Sequence, residues 1–176
     1  MPRTKQQAGK LAKNKGNNFE RKIAKELQNW WNGGKVEGDS GYHQFQRTPM
    51  SGGSQLKDGW GLAGDIATTD EFFPFHIECK KQEGWSFSSL MSVGGCAAFS
   101  RWWEQSVEDS AVSGKEPVVI FSKNNVKTLW AIRKDYIGLT QTSSGSYLPK
   151  LELVINGETI IIFPFSLVLR SIPHIW

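Results

Sequence analysis

GDIATTDEFFPFHIECKK, residues 64–81, decides how this chain folds. Asp65 opens one β-type run, Asp70-Glu71 supply turn residues, and Pro74 precedes a second run, FHIECKK. Successive side chains on a strand point to opposite faces. Phe75, Ile77 and Cys79 therefore share one face, while His76, Glu78 and Lys80 share the other. The apolar FFPFHIEC run reads as a central strand, and a hairpin pairing would bring Asp65 beside Glu78 on the polar face. Two adjacent carboxylates repel each other, and a hard divalent cation such as Mg²⁺ relieves that repulsion with oxygen ligands. Lys80 lies where it could act on a metal-held water and on phosphate charge, the parts needed to hydrolyse a phosphodiester. The plainer alternative is an amphipathic hairpin carrying a solvated ion cluster.

Working towards the N-terminus, residues 48–62 are Gly-, Ser- and Pro-rich and predict a loop. Residues 42–47 alternate like a strand that packs on a preceding helix. That helix is expected from Asn17 or Asn18 to about Asn32, with Phe19, Ile23, Leu27 and Trp30 as its apolar stripe and Gly33-Gly34 as its stop. Glu20 borders the stripe. It suits a capping box with Asn17, and equally a third carboxylate aimed at the Asp65–Glu78 pair.

Residues 1–16 read as a flexible basic arm. Residues 1–25 carry eight Lys or Arg against Glu20 alone, a local +7 in a chain of net charge +4, which leaves −3 for the remainder. A basic arm on a near-neutral body suits a polyanion, bound with salt dependence. With only two cysteines and eight tryptophans, the chain is neither a disulfide scaffold nor disordered. No apolar run approaches the ~18 residues of a membrane span, so a soluble, cytoplasmic protein is expected, with no membrane partner.

Towards the C-terminus, residues 82–93 predict a loop. Residues 94–113 predict a helix burying Cys96, Phe99, Trp103 and Val107, with Trp102 and Gln105 off that stripe. Residues 117–121 and 126–133 predict strands, and 134–139 a short helix or turn. Residues 140–146 form a polar linker, and Asn156-Gly157 between two apolar runs marks a hairpin. The division is thus an arm (1–16), a core (17–138) and a C-terminal linker with hairpin (139–176).

This order of elements resembles the core of the PD-(D/E)XK nuclease superfamily, and within it archaeal-type and phage-encoded Holliday-junction resolvases. The matching pieces are Gly16-Asn17-Asn18-Phe19-Glu20-Arg21, Arg47-Thr48-Pro49-Met50-Ser51-Gly52, Gly64-Asp65-Ile66, and Glu78-Cys79-Lys80. Gly64 stands where the superfamily's name has proline. The resemblance implies an α/β fold with a restriction-endonuclease-like core, a central mixed β-sheet flanked by helices and an extra C-terminal β-hairpin. It implies that Asp65, Glu78 and the Cys79 carbonyl ligate Mg²⁺ or Mn²⁺, that Glu20 completes the site, and that Lys80 acts on the attacking water. It further implies a homodimer on four-way or otherwise branched DNA, serving DNA recombination. Lys10, Lys13, Lys15, Arg21, Arg47, Ser51 and Lys81 are the expected DNA contacts. Two other readings share these residues: a sequence-specific restriction or homing-type endonuclease, and a non-catalytic DNA-binding protein on a nuclease-like core.

Overall fold

A computed structural model describes residues 4–32, 44–48, 64–92, 95–136 and 150–170. Helix α1 (Lys5–Trp31) is followed by β1 (Phe45–Arg47), β2 (Ile66–Thr68) and β3 (Phe75–Lys81). A single-turn helix α2 (Phe87–Leu90) and α3 (Ala97–Ser113) lead into β4 (Glu116–Ser122) and β5 (Leu129–Arg133). The hairpin β6 (Leu151–Ile155) and β7 (Glu158–Pro164) and a last turn, α4 (Phe165–Val168), complete the described chain.

The main sheet has five strands in the order β3-β4-β5-β7-β6. Only β3 and β4 run parallel; the other pairings are antiparallel. The crossover from β3 to β4 carries α3, as a parallel pair requires. The alternation in β3 sorts its side chains between two layers. Phe75, Ile77 and Cys79 join Phe19, Ile23 and Leu27 of α1 in one core. On the opposite face of the sheet, Val119 and Phe121 pack with Phe99, Trp102 and Trp103 of α3 in a second core. The fold is therefore α/β, with a mixed sheet between helices.

Trp130 on β5 centres the α1-side core, stacked on Phe165 with ring centroids 5.7 Å apart and edge-on to Phe75 at 5.4 Å. The C-terminal hairpin extends the same sheet: β7 pairs with β5 from Leu129↔Pro164 to Arg133↔Ile160. Its Asn156-Gly157 turn has φ of 51° and 84°, the type I′ signature. No helix among the described residues is long and apolar enough to cross a membrane.

Several expectations are corrected. The helix begins at Lys5, so residues 5–16, read as a flexible arm, form the first turns of α1. Thr4 and Gln7 form the capping box, and Asn17–Glu20 lies inside the helix, which removes the capping reading of Glu20. Lys, Gln, Ala and Leu in this stretch are good helix formers that outweigh its glycines and asparagines. The hairpin between the Asp65 run and β3 does not form, since β2 pairs with β1, Arg47 opposite Ile66. Nor is β3 central. It is the terminal strand of its sheet, and it reads as buried because helices cover both its faces. Trp102, placed off the stripe of α3, is buried against Phe121. The 82–93 segment contains α2. The polar linker at 140–146 lies outside the described residues.

Candidate active site

The site forms where the free edge of β3 meets the start of β2. The Asp65 N–H donates to the Ile77 carbonyl at 2.9 Å, and the Cys79 N–H donates to Asp65 Oδ2 at 2.8 Å. These two bonds fix the Asp65 carboxylate against the strand that carries Glu78. Within one extended residue the N–H and C=O point to the same edge, so the Cys79 carbonyl also faces the Asp65 side.

Glu20 approaches from α1 and Glu78 from β3, with 8% and 3% of their surface exposed; Asp65 has 8%. Burial, then the charge of Asp65, raises the pKa of both glutamates, and Glu78 is pushed up to about 7. The buried Cys79 thiol is raised by burial and by the charges of Asp65, Glu78 and Glu20 together. Asp65 is thus close enough for its charge to act on both glutamates, although among the described residues the ligand atoms of Glu20, Asp65 and Glu78 do not gather into one cation-sized group.

Each outer carboxylate has a cation. Arg47 of β1 donates to Glu20, and Lys80 pairs with Glu78 while donating to Gln105 of α3 at 3.0 Å. Gln105, off the apolar stripe of α3, is exposed and, among the described residues, meets this group only through Lys80. Burial first, and then the charge of Asp65, lifts Glu78 towards neutrality, and a hard divalent cation held by oxygens here would relieve that cost.

The expected DNA contacts are spread along α1 and around its end. Lys10, Lys13 and Arg21 are exposed. Lys15 pairs with Glu83 at 2.7 Å. Lys81 is committed to the Ser122 hydroxyl and the Lys123 carbonyl, with its ammonium over the Phe19 ring. Its pKa is lowered first by burial and then by the charge of Lys15, with Glu83 opposing and Lys22 adding a smaller push. Lys22 belongs to the basic N-terminal stretch but not to the expected DNA contacts; its position seven residues after Lys15, two helical turns on, is the signal that places it on the same side of α1. Ser51 lies outside the described residues.

Against this geometry, a family model described as phage putative PDDEXK endonuclease matches residues 11–159. The chain belongs to that family. The match spans α1 to the start of β7, so it covers every residue of the carboxylate cluster. No curated protein and no solved structure matches the chain. Membership gives the class of chemistry, nuclease action on DNA.

The Arg47–Glu20 pair yields a first prediction. Arg47→Ala leaves Glu20 buried next to Asp65 without its cation, a loss of about 1–3 kcal/mol for a charge-assisted bond. Thermal melts should show the deficit at pH 8, where Glu20 is ionised. Below the pKa of Glu20 the deficit should fade, because the protonated acid no longer needs the guanidinium.

Proposed function

We propose that this chain is a metal-dependent endonuclease that hydrolyses phosphodiester bonds in branched DNA, four-way junctions foremost. The observation that carries the reading is the buried Asp65–Glu78 pair on the β3 edge, bounded by Glu20 and by Lys80. In this reading Asp65, Glu78 and the Cys79 carbonyl hold Mg²⁺ or Mn²⁺, and Glu20 completes the set. The cation supplies Lewis acidity and lowers the pKa of bound water. Lys80, pinned between Glu78 and Gln105, holds the attacking water in line and offsets charge growing on the phosphate. Asp65 is itself oriented by the Cys79 N–H, which holds its carboxylate against the β3 edge.

The choice of branched DNA rests on charge and size. Exposed Lys10, Lys13, Arg21 and Lys22 lie along α1, which suits backbone contact. The described residues include no separate module for reading base edges, which favours recognition of shape. A symmetric junction calls for two active sites, so the enzyme would work as a homodimer.

The test is a substrate panel of four-way junction, flap, single strand and linear duplex, with Mg²⁺, Mn²⁺ or EDTA. Wild type should cut the junction symmetrically with either metal and not in EDTA. Lys80→Ala should bind it with unchanged affinity and cut at least about 10²-fold more slowly. Cutting confined to one duplex sequence would replace the junction by a restriction-type substrate. Junction binding with no cutting under either metal would overturn the enzymatic reading.

A further inference from the structure

His76 lies on the same face of β3 as Glu78, two residues away, and is 1% exposed. Among the described residues neither of its ring nitrogens has a hydrogen-bond partner. Burying an imidazole without any partner is costly, and nearly all buried polar atoms avoid it. α3 packs over this face and carries Asp109, an exposed residue one turn beyond Gln105. One ligand atom each from His76, Glu78 and Asp109 all lie within 4.8 Å of one another.

We propose that His76, Glu78 and Asp109 form a second cation site, on the α3 side of β3, that takes a borderline transition-metal ion such as Zn²⁺. The donor chemistry separates it from the Asp65 side. There the donors are oxygens alone, the set that hard Mg²⁺ takes. Here a neutral imidazole nitrogen joins two carboxylates, which shifts preference towards ions that accept nitrogen. Ligand atoms around such an ion stand roughly 3–3.5 Å apart for bonds of about 2.0–2.2 Å. With all three ligand atoms already within 4.8 Å, closing on an ion asks only for small side-chain shifts, and Asp109 is exposed and accepts a long bond from Gln105 at 3.5 Å. Its exposure also gives the ion a way in, and an imidazole otherwise without a partner gains one.

Glu78 would be shared between the two sites, so the test is run where the Asp65 side is disabled. In an Asp65→Asn protein labelled with ¹⁵N-histidine, Zn²⁺ titration should move a ring nitrogen of His76, identified by its loss in His76→Gln. Calorimetry on the same protein should give a Zn²⁺ affinity that Asp109→Asn weakens at least tenfold. Asp109 is on the surface, so that variant keeps its fold even where His76→Gln does not. A His76 nitrogen unmoved at saturating Zn²⁺, or an affinity indifferent to Asp109→Asn, would overturn the site. DNA cutting by Asp65→Asn at the wild-type rate would overturn the nuclease assignment of Asp65 and leave this result standing.

Discussion

Glu78→Gln should abolish cleavage and, in EDTA at pH 8, raise the melting temperature. Both effects come from one side chain whose charge is needed for chemistry and resisted by its surroundings. Burial and the neighbouring charge of Asp65 lift Glu78 from 4.5 to about 7, against the opposing pull of Lys80. Between pH 4.5 and 7 the folded state therefore holds a proton that the unfolded state has released. Stability falls as pH rises through that window, and above 7 the penalty is fully present. The displacement from 4.5 to about 7 bounds it at about 3 kcal/mol. Glutamine keeps the shape without the charge. Its gain at pH 8 should lie between about 1 and 3 kcal/mol, or roughly 2–10 °C for a chain of this size. At pH 4.5 the two proteins should melt together. Comparing variant with wild type at each pH isolates Glu78, because Glu20, raised by burial, and His76, lowered by burial to about 4, titrate in both. Saturating Mg²⁺ should then stabilise wild type more than the variant, since a ligand stabilises the state that binds it. Cleavage by the variant should fall by at least about 10³-fold. A Glu78→Gln protein that melts below wild type in EDTA at pH 8 would show that the carboxylate is held by its partners and not strained by them.

The parts of this site that were legible in the sequence are those fixed by local periodicity. The two-residue repeat of β3 put Glu78 and Lys80 on one face and Ile77 and Cys79 on the other, and the layers of the fold respect that division. The Asn156-Gly157 hairpin was legible because its turn needs two residues with positive φ. What was misread depends on contacts between distant segments. Asp70 does make a turn, its Oδ1 accepting from the Phe72 N–H, but its carboxylate also accepts from the Trp31 indole and from the Gln44 amide, both at 2.6 Å, which draws β2 towards α1 and into register with β1. The same pairing delivers Arg47 to Glu20, a link 27 residues long that no local pattern announces. His76 and Asp109 went unpaired in the reading for the same reason, since only the packing of α3 on β3 brings them together. Burial, too, carried less information than it promised: β3 has the composition of a central strand, yet its second neighbour is a short segment meeting it through the Asp65 bonds.

Those bonds depend on Gly64, and Gly64→Ala should damage stability and cleavage together. Gly64 has φ of 88°, a conformation that L side chains rarely adopt. A Cβ added there would meet the Ile77 carbonyl oxygen at 2.5 Å and the His76 ring at 3.1 Å. That oxygen is the acceptor of the Asp65 N–H, so the clash can be relieved only by moving the segment that positions Asp65. Conformational strain of about 1–2 kcal/mol and the disrupted contact together predict a loss of roughly 2–4 kcal/mol. For this chain length that is a fall in melting temperature of roughly 5–15 °C. At 20 °C, where the variant is still folded, cleavage should drop about 10²-fold, the usual effect of displacing a reactive group by about 1 Å. Gly84→Ala is the matched control, because a Cβ there meets nothing within 4 Å; it should leave both properties near wild type. The same geometry explains why this chain lacks proline before its aspartate. A pyrrolidine ring fixes φ near −65° and cannot reach 88°, so Gly64→Pro should be worse than alanine. The aspartate is delivered here by a close backbone approach that only glycine permits. If Gly64→Ala instead melts and cuts as wild type does, β2 can be moved without displacing Asp65, and the two backbone bonds to β3 do not position the carboxylate.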